Sequence, residues 1–142
     1  MAKSDPKEAR LKAVPLFAKA DTKALHHLAS AADEVSVSAG HVLIEQGRHH
    51  HEFYVIESGT AVVEIEGNEI AEIPAGEFVG ELGFFVQGAA SATVKAKTDV
   101  ELMVIPYNMF DQILDDNPGL VRAIATELAI RLHDTDARLH TK

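Results

Sequence analysis

The chain has 142 residues, a formal net charge of −9 at pH 7, 46% hydrophobic residues and no cysteine. This length and apolar content suffice for one domain with a hydrophobic core, and the lack of cysteine excludes disulfide bonds, thiol catalysis and thiolate metal sites. The acidic charge argues against a nucleic-acid-binding surface, and no apolar run is long enough for a membrane span or a signal peptide, so we expect a cytoplasmic protein with no membrane partner.

Residues 5–32 are predicted to be helical, with an interruption at Pro15. Asp21 is a good N-cap for the helix that follows, because its carboxylate can accept a hydrogen bond from a free N–H of the first turn. That helix carries His26 and His27, which we interpret as surface residues; a ligand role is the alternative.

Residues 34–106 are predicted to be β-structure, because the hydrophobic period changes to two after the helical region. Short alternating runs are separated at regular spacing by turns rich in Gly, Pro and Asn, a pattern that favours an all-β sandwich or barrel. Gly67-Asn68 fits the tight turn of a hairpin, which requires positive φ.

Two C-terminal helices are predicted in residues 107–139. Asn117 should cap the second helix, with Pro118 in its first turn. This helix has an apolar stripe that is wide for a single packing face. Exposed apolar patches usually mark interfaces, so we expect a homodimer through this helix; the alternative is that the whole stripe folds back onto its own domain. The stripe consists of Leu120, Ile124, Leu128 and Leu132, flanked by Val121, Ala125 and Ala129.

The most specific motif lies between Val79 and Val94. Its first half reads Gly80-Glu81-Leu82-Gly83, and its second half reads Ala90-Ser91-Ala92-Thr93. The motif resembles the phosphate-binding cassette of the cyclic-nucleotide-binding domain family, which runs Gly-Glu-Leu-(Ala/Gly/Ser), a short helix and Pro-Arg-(Ala/Ser)-Ala-Thr. Further segments that resemble the family are Ile44-Glu45-Gln46-Gly47, the strand and turn from Phe53 to Gly59, and Pro74 to Phe78, within a resemblance that covers roughly Leu16 to Leu132.

The resemblance implies a fold and a class of function. The fold is mainly β, an eight-stranded double-stranded β-helix, or jelly-roll and cupin-like barrel, with N-terminal and C-terminal helices in a single domain over residues 1–142. The function is that of a regulatory module of the cAMP receptor protein and protein kinase A regulatory-subunit type. By resemblance, the ligand would contact Gly80, Glu81, Leu82, Gly83, Ala90, Ser91, Ala92 and Thr93.

The chain departs from the family at the position of the cassette arginine, where it has Ala90. Arginine would supply a charged planar fork that fits two phosphate oxygens. No Lys or Arg occurs from His49 to Val94, whereas eight glutamates do, so an anion would approach a negative surface. Lys95 and Lys97 follow, and we interpret them as solvated strand residues; the alternative is that one bends in to replace the arginine. We therefore expect binding of cAMP and cGMP to be weak or lost.

Two other groups in the sequence leave alternatives open. Glu81 would accept from the sugar 2′-hydroxyl by resemblance, or it could cap its own short helix. The run His49-His50-His51 could hold Zn²⁺ or Ni²⁺, or form a solvated loop before the strand that begins near Phe53. No cofactor is indicated beyond a possible cyclic nucleotide.

Two functions fit these observations. The first is a small-ligand-sensing regulatory module that acts through an unknown protein partner. The second is a non-binding scaffold or interaction domain, acting through a partner or by homodimerisation, with a pocket filled by Phe84, Phe85 and Val86. No serine has the surroundings of a nucleophile and no catalytic cluster stands out, so we do not expect an enzyme.

Overall fold

The computed structural model describes residues 6–80, 86 and 88–140, and within them helices flank eight β-strands. None of the helices in these ranges is long and apolar enough to cross a membrane. The helical elements are α1 (Pro6–Lys12), a 3₁₀ turn (Pro15–Phe17), α2 (Thr22–Ala31), α3 (Tyr107–Asp116) and α4 (Pro118–His140). The strands are β1 (Asp33–Val37), β2 (Val42–Ile44), β3 (Glu52–Ser58), β4 (Ala61–Ile65), β5 (Asn68–Ile73), β6 (Phe78–Val79), β7 (Thr93–Ala96) and β8 (Val100–Pro106).

The strands form two antiparallel sheets of four strands each. The first sheet has the order β1-β8-β3-β6 and the second has the order β2-β7-β4-β5. The pairs β1/β8, β2/β7, β3/β6 and β4/β5 therefore alternate between the sheets, which is the strand order of a double-sheet jelly roll. The prediction of a mainly β fold with flanking helices is confirmed.

The prediction of a closed eight-stranded barrel needs correction. Closure would require hydrogen-bonded pairing between the edge strands of the two sheets, such as β1 with β2 or β5 with β6. Among the residues that the structure describes, no such pair forms, because the chain crosses from one sheet to the other at these corners. The two sheets face each other as a sandwich instead.

The inner strands of the first sheet, β3 and β8, are largely buried on both faces, whereas the edge strand β1 is mostly exposed. This burial explains why β3 lacks the alternation of a half-exposed strand. Phe53 and Val55 point to a core shared with the helices, and Tyr54 and Ile56 point to a core shared with the second sheet. A sheet covered on both sides reads as a continuous apolar run. The helices and the second sheet are thus held on opposite faces of β3 and β8.

The helix α2 begins as the sequence predicts. Asp21 adopts an extended backbone and its Oδ1 accepts a hydrogen bond from Ala24 N at 2.8 Å, so the predicted N-cap is confirmed. His26 is exposed, as expected. His27 is half-buried and accepts at Nδ1 from Asn117 Nδ2 at 3.1 Å, so its interpretation as a surface residue is only partly right.

Asn117 precedes α4 as predicted, but its side chain does not act there as the predicted cap. Its amide donates to Ile113 O at 2.8 Å and to His27, so the side chain binds backwards to the end of α3 and across to α2. Asn117 is buried, and a buried amide must find hydrogen-bond partners within the protein. Pro118 occupies the first position of α4, as predicted.

The hairpin between β4 and β5 turns one residue earlier than predicted. Glu66 and Gly67 both have positive φ, at 53° and 80°, and Asn68 already belongs to β5. Two central residues with positive φ are typical of a type I′ turn. Gln46 holds Glu66 in this conformation: its Oε1 accepts from Glu66 N at 3.0 Å, and its Nε2 donates to Glu66 Oε1 at 2.9 Å.

Candidate functional site

A cavity of about 700 Å³ lies where the second sheet meets β6 and the segment before β7. This volume is in the usual range for small-molecule sites, roughly 300–1,000 Å³. The described part of its wall is mainly aliphatic, and its polar residues are His50, Glu72, Glu77 and Ser91. The aliphatic residues include Ile44, Val63, Ile65, Ile70, Ile73 and Val94.

The cassette residues that the structure describes lie together at this cavity. Gly80, Ala90, Ser91 and Ala92 line it, and Thr93 begins the adjacent strand β7. The Thr93 hydroxyl accepts from Gln46 N at 3.0 Å, so it holds the corner after β2. The remaining candidates, Glu81, Leu82 and Gly83, lie outside the described residues. The binding role of all eight stays a prediction.

Gly80 must be glycine because of its backbone conformation and its neighbours. Its φ is +98°, and a Cβ placed there would lie 2.8 Å from Glu52 O and 3.3 Å from Phe53 Cα. Both contacts are with backbone, which cannot move aside as a flexible side chain can. The cassette therefore starts in direct contact with β3, the strand shared by both cores.

Ala90 is fixed to the cavity wall by its backbone. Its N–H donates to Arg48 O at 2.8 Å, and its carbonyl accepts from Gly47 N at 2.8 Å. The half-buried side chain packs against the core between the sheets and lines the cavity. A longer side chain at position 90 would extend from the cavity wall. The backbone that carries it is held in place by the two hydrogen bonds of residue 90.

Lys95 and Lys97 do not replace the missing arginine. Lys95 Nζ lies 2.9 Å from Glu64, and Lys97 Nζ lies 3.2 Å from Glu72 and 3.6 Å from Glu69. Neither lysine is among the described residues of the cavity wall. This placement agrees with the interpretation of a solvated strand face.

Arg48 is a cation near the cassette that sequence reasoning missed. Its carbonyl is bonded to Ala90, but its side chain is 77% exposed, with Nε at 2.7 Å from Glu45. The guanidinium therefore points to solvent in this structure. Its proximity to Ala90 depends on a pairing between distant parts of the chain, and no local sequence signal reports it.

A hydrogen-bonded chain joins the cavity to the first residue of α3. The Tyr107 hydroxyl donates to Gly80 O and lies 2.9 Å from His50 Nδ1, and Tyr107 N donates to His51 O at 2.9 Å. The single hydrogen of the hydroxyl is used in the bond to Gly80 O. The hydroxyl oxygen therefore accepts a hydrogen bond from His50 Nδ1–H. The start of α3 is thus tied to two residues of the cavity wall.

Of the three consecutive histidines, only His50 reaches the cavity. His49 and His51 are exposed in the loop before β3, which fits the solvated-loop interpretation. No group of three or more His, Asp or Glu positioned for a metal ion occurs in the described part of the chain. Burial lowers the pKa of His50 below its ordinary value and outweighs a hydrogen bond with the backbone of Glu52, which raises the pKa; His51 and His49 lower it further. The imidazole facing the cavity is therefore neutral at pH 7.

The double-sheet jelly roll with flanking helices is the fold of a class of regulatory domains. The profile of the cyclic nucleotide-binding domain family matches residues 34–117. The chain belongs to the cyclic nucleotide-binding domain family.

Relatives and solved structures agree with this assignment. The chain is 36% identical over 103 residues to the cAMP-activated global transcriptional regulator CRP of Salmonella typhimurium, over 68% of this chain and 49% of that protein. It is 32% identical over 115 residues to lysophospholipase nte1 of Aspergillus fumigatus, over 78% of this chain and 8% of that protein. The N-terminal domain of a transcriptional regulator from Streptomyces coelicolor matches with a TM-score of 0.74 and 27% identity, covering 90% of this chain and 95% of that chain.

The chain matches different shares of the length of these relatives. The chain spans about half of the transcriptional regulator and less than a tenth of the lysophospholipase. The part shared with both relatives is the cyclic-nucleotide-binding region.

Proposed function

We propose that the chain is a small-ligand-sensing regulatory domain in which ordinary binding of cAMP and cGMP is weak or lost. The observation that carries the proposal is the place of Ala90: its side chain lines the cavity where the family has an arginine. Each charge-assisted hydrogen bond contributes roughly 1.5–3 kcal/mol. Losing two of them weakens affinity on the order of a hundredfold or more.

We predict dissociation constants for cAMP and cGMP well above micromolar at physiological salt. The negative surface around the cavity slows the approach of an anion, and no Lys or Arg among the described residues of the cavity wall compensates for the desolvation of the anion. Isothermal titration calorimetry of the purified chain with each nucleotide measures this. A submicromolar value for either nucleotide would contradict the proposal. Arg48→Ala would then show whether that guanidinium turns in to bind the phosphate.

The output would pass from the cavity to the helices through Tyr107. A ligand that moves His50 or Gly80 changes the hydrogen bonds that hold the first residue of α3, and α3 leads directly into α4. An unknown protein partner would receive this change. The cytoplasmic location stays a prediction.

The scaffold alternative requires that side chains of the protein itself fill the pocket. Val86, one of the three residues proposed for this, lines the cavity and is 68% exposed, so its own side chain does not fill the space. Phe84 and Phe85 lie outside the described residues. An open cavity with an apolar wall favours a ligand-binding domain over a filled scaffold.

A homodimer through α4 remains part of the proposal. Leu120 and Ile124 are buried in the core that the helices share with the first sheet, and Leu128 packs against this core. This part of the stripe therefore folds back onto its own domain. The neighbouring side of the helix stays exposed, with Val121 and Leu132 at a spacing that keeps them on one face. Exposed apolar patches of this kind usually mark an interface, and a two-fold dimer is the commonest arrangement.

We predict that Leu132→Glu converts a dimer to a monomer. Leu132 is 64% exposed, so the charged side chain disturbs an interface without entering the core. Multi-angle light scattering at tens of micromolar measures the change. Ile130→Glu is the matched control, because Ile130 is also exposed but lies on the opposite side of the helix, at about 100° per residue. A monomeric mass of 15.4 kDa for the unmodified chain would reject the dimer.

A further inference from the structure

We propose that the cavity binds a small, uncharged and largely apolar molecule. The inference rests on the proposed ligand-sensing function and specifies the chemical class of its ligand. It follows from the composition of the cavity wall, from the charges that face it and from the size of the space.

The wall offers an apolar ligand a continuous surface. Aliphatic side chains come from β2, β4, β5 and β7, so they surround the space from several strands of the second sheet. Val79 of β6 and Val86 add apolar surface from the other side. Apolar area removed from water is the main favourable contribution for such a ligand. A largely apolar wall with a few polar groups is the usual composition of a small-molecule pocket.

The charges at the wall disfavour an anionic ligand. The sequence from His49 to Val94 contains no Lys or Arg, and this segment supplies every described wall residue except Ile44. His50 is neutral at pH 7, because burial lowers its pKa. A buried anion without a counter-charge or dense hydrogen bonding is strongly destabilised.

A cation is disfavoured for a different reason. The carboxylate of Glu72 already pairs with Lys97 at 3.2 Å. Glu77 is the other carboxylate residue at the described wall. The rest of the wall is aliphatic, so it would remove water from most of a charged ligand without replacing the hydrogen bonds to that water. His50 and Ser91 supply uncharged polar groups, which suit a hydroxyl or carbonyl on an otherwise apolar molecule.

The test uses N-phenyl-naphthylamine, a neutral dye that fluoresces in apolar surroundings, as the probe of the cavity. We expect saturable binding of one dye per chain. Decanol is then added below its solubility limit, and decanoate and decylammonium below their critical micelle concentrations, to displace it. All three have ten carbon atoms in an unbranched chain, and their head groups are neutral, anionic and cationic. Decanol is expected to displace the dye at a concentration at least tenfold lower than either charged compound.

Variants show whether the dye occupies the cavity. Ala90→Trp fills the space while the backbone of residue 90 keeps its hydrogen bonds, and Ser91→Trp is a second blocking variant from a more exposed position. At least one folded blocking variant should weaken dye binding tenfold or more. Leu132→Ser, on the exposed face of α4, should leave it unchanged. Circular dichroism checks that each variant is folded.

The outcomes separate this inference from the proposed function. Stronger displacement by decanoate or decylammonium than by decanol would overturn the ligand class and leave a ligand-sensing domain standing. If Leu132→Ser weakens dye binding while the folded Trp variants retain it, the dye binds outside the cavity. This result would overturn the inference. A folded chain that binds neither the dye nor any cyclic nucleotide would overturn both and favour the scaffold.

Discussion

Ala90→Arg is expected to increase the affinity for cAMP by tenfold or more, the largest functional change that a single substitution should produce in this chain. Ala90 lines the cavity, and its N–H and carbonyl are fixed by hydrogen bonds to Arg48 and Gly47. A new guanidinium there would start from a defined backbone and could bind two phosphate oxygens. Calorimetry of the variant and the unmodified chain with cAMP measures the gain.

Two further substitutions at the same position identify the cause of the gain. Ala90→Met adds length without charge and should give no increase in affinity for cAMP. Ala90→Lys adds a point charge without the planar fork and should give a smaller increase than arginine. The gain should fall with added salt, because it is electrostatic. An Ala90→Arg variant that is folded and releases no heat with cAMP would mean that the cavity does not admit the nucleotide.

Local patterns in the sequence were sufficient for much of the fold. The Asp21 cap depends on a hydrogen bond to a residue three positions away, and the apolar stripe that places Leu120 and Ile124 in the core follows from spacing along one helix. The glycine at position 80 belongs to a motif that can be recognised without knowing its neighbours. Such features are encoded within a few residues, so a single sequence predicts them.

The features that the sequence did not predict depend on contacts between distant segments. Arg48 comes close to Ala90, and Tyr107 reaches Gly80 and His50, only because the sheets place these segments side by side. Asn117 had a competing partner in His27, 90 residues away, which no local rule includes. Whether eight strands form one barrel or two sheets is likewise decided by edge pairing, which strand patterns leave open.

Phe53→Ala is expected to lower the free energy of unfolding by about 3–5 kcal/mol. Phe53 is 1% exposed, and its ring stacks on Phe110 at 5.1 Å and on Phe78 at 5.6 Å between ring centroids. Its removal leaves a cavity between the first sheet and the helices, at the point where α3 is held. Urea unfolding followed by circular dichroism measures the loss.

The substitution Phe53→Leu is the control, since it keeps apolar volume and loses the stacking, which contributes about 0.5–1.5 kcal/mol beyond burial. It should therefore cost less than Phe53→Ala. A loss below about 1 kcal/mol for Phe53→Ala would show that the helix layer contributes little to stability. Dye binding provides a second readout, because Phe53 is a direct neighbour of Gly80, which lies in the cavity wall. A Cβ built on Gly80 would lie only 3.3 Å from Phe53 Cα. If the folded Phe53→Ala variant binds the neutral dye as tightly as the unmodified chain, the helix core stabilises the fold without positioning the cavity.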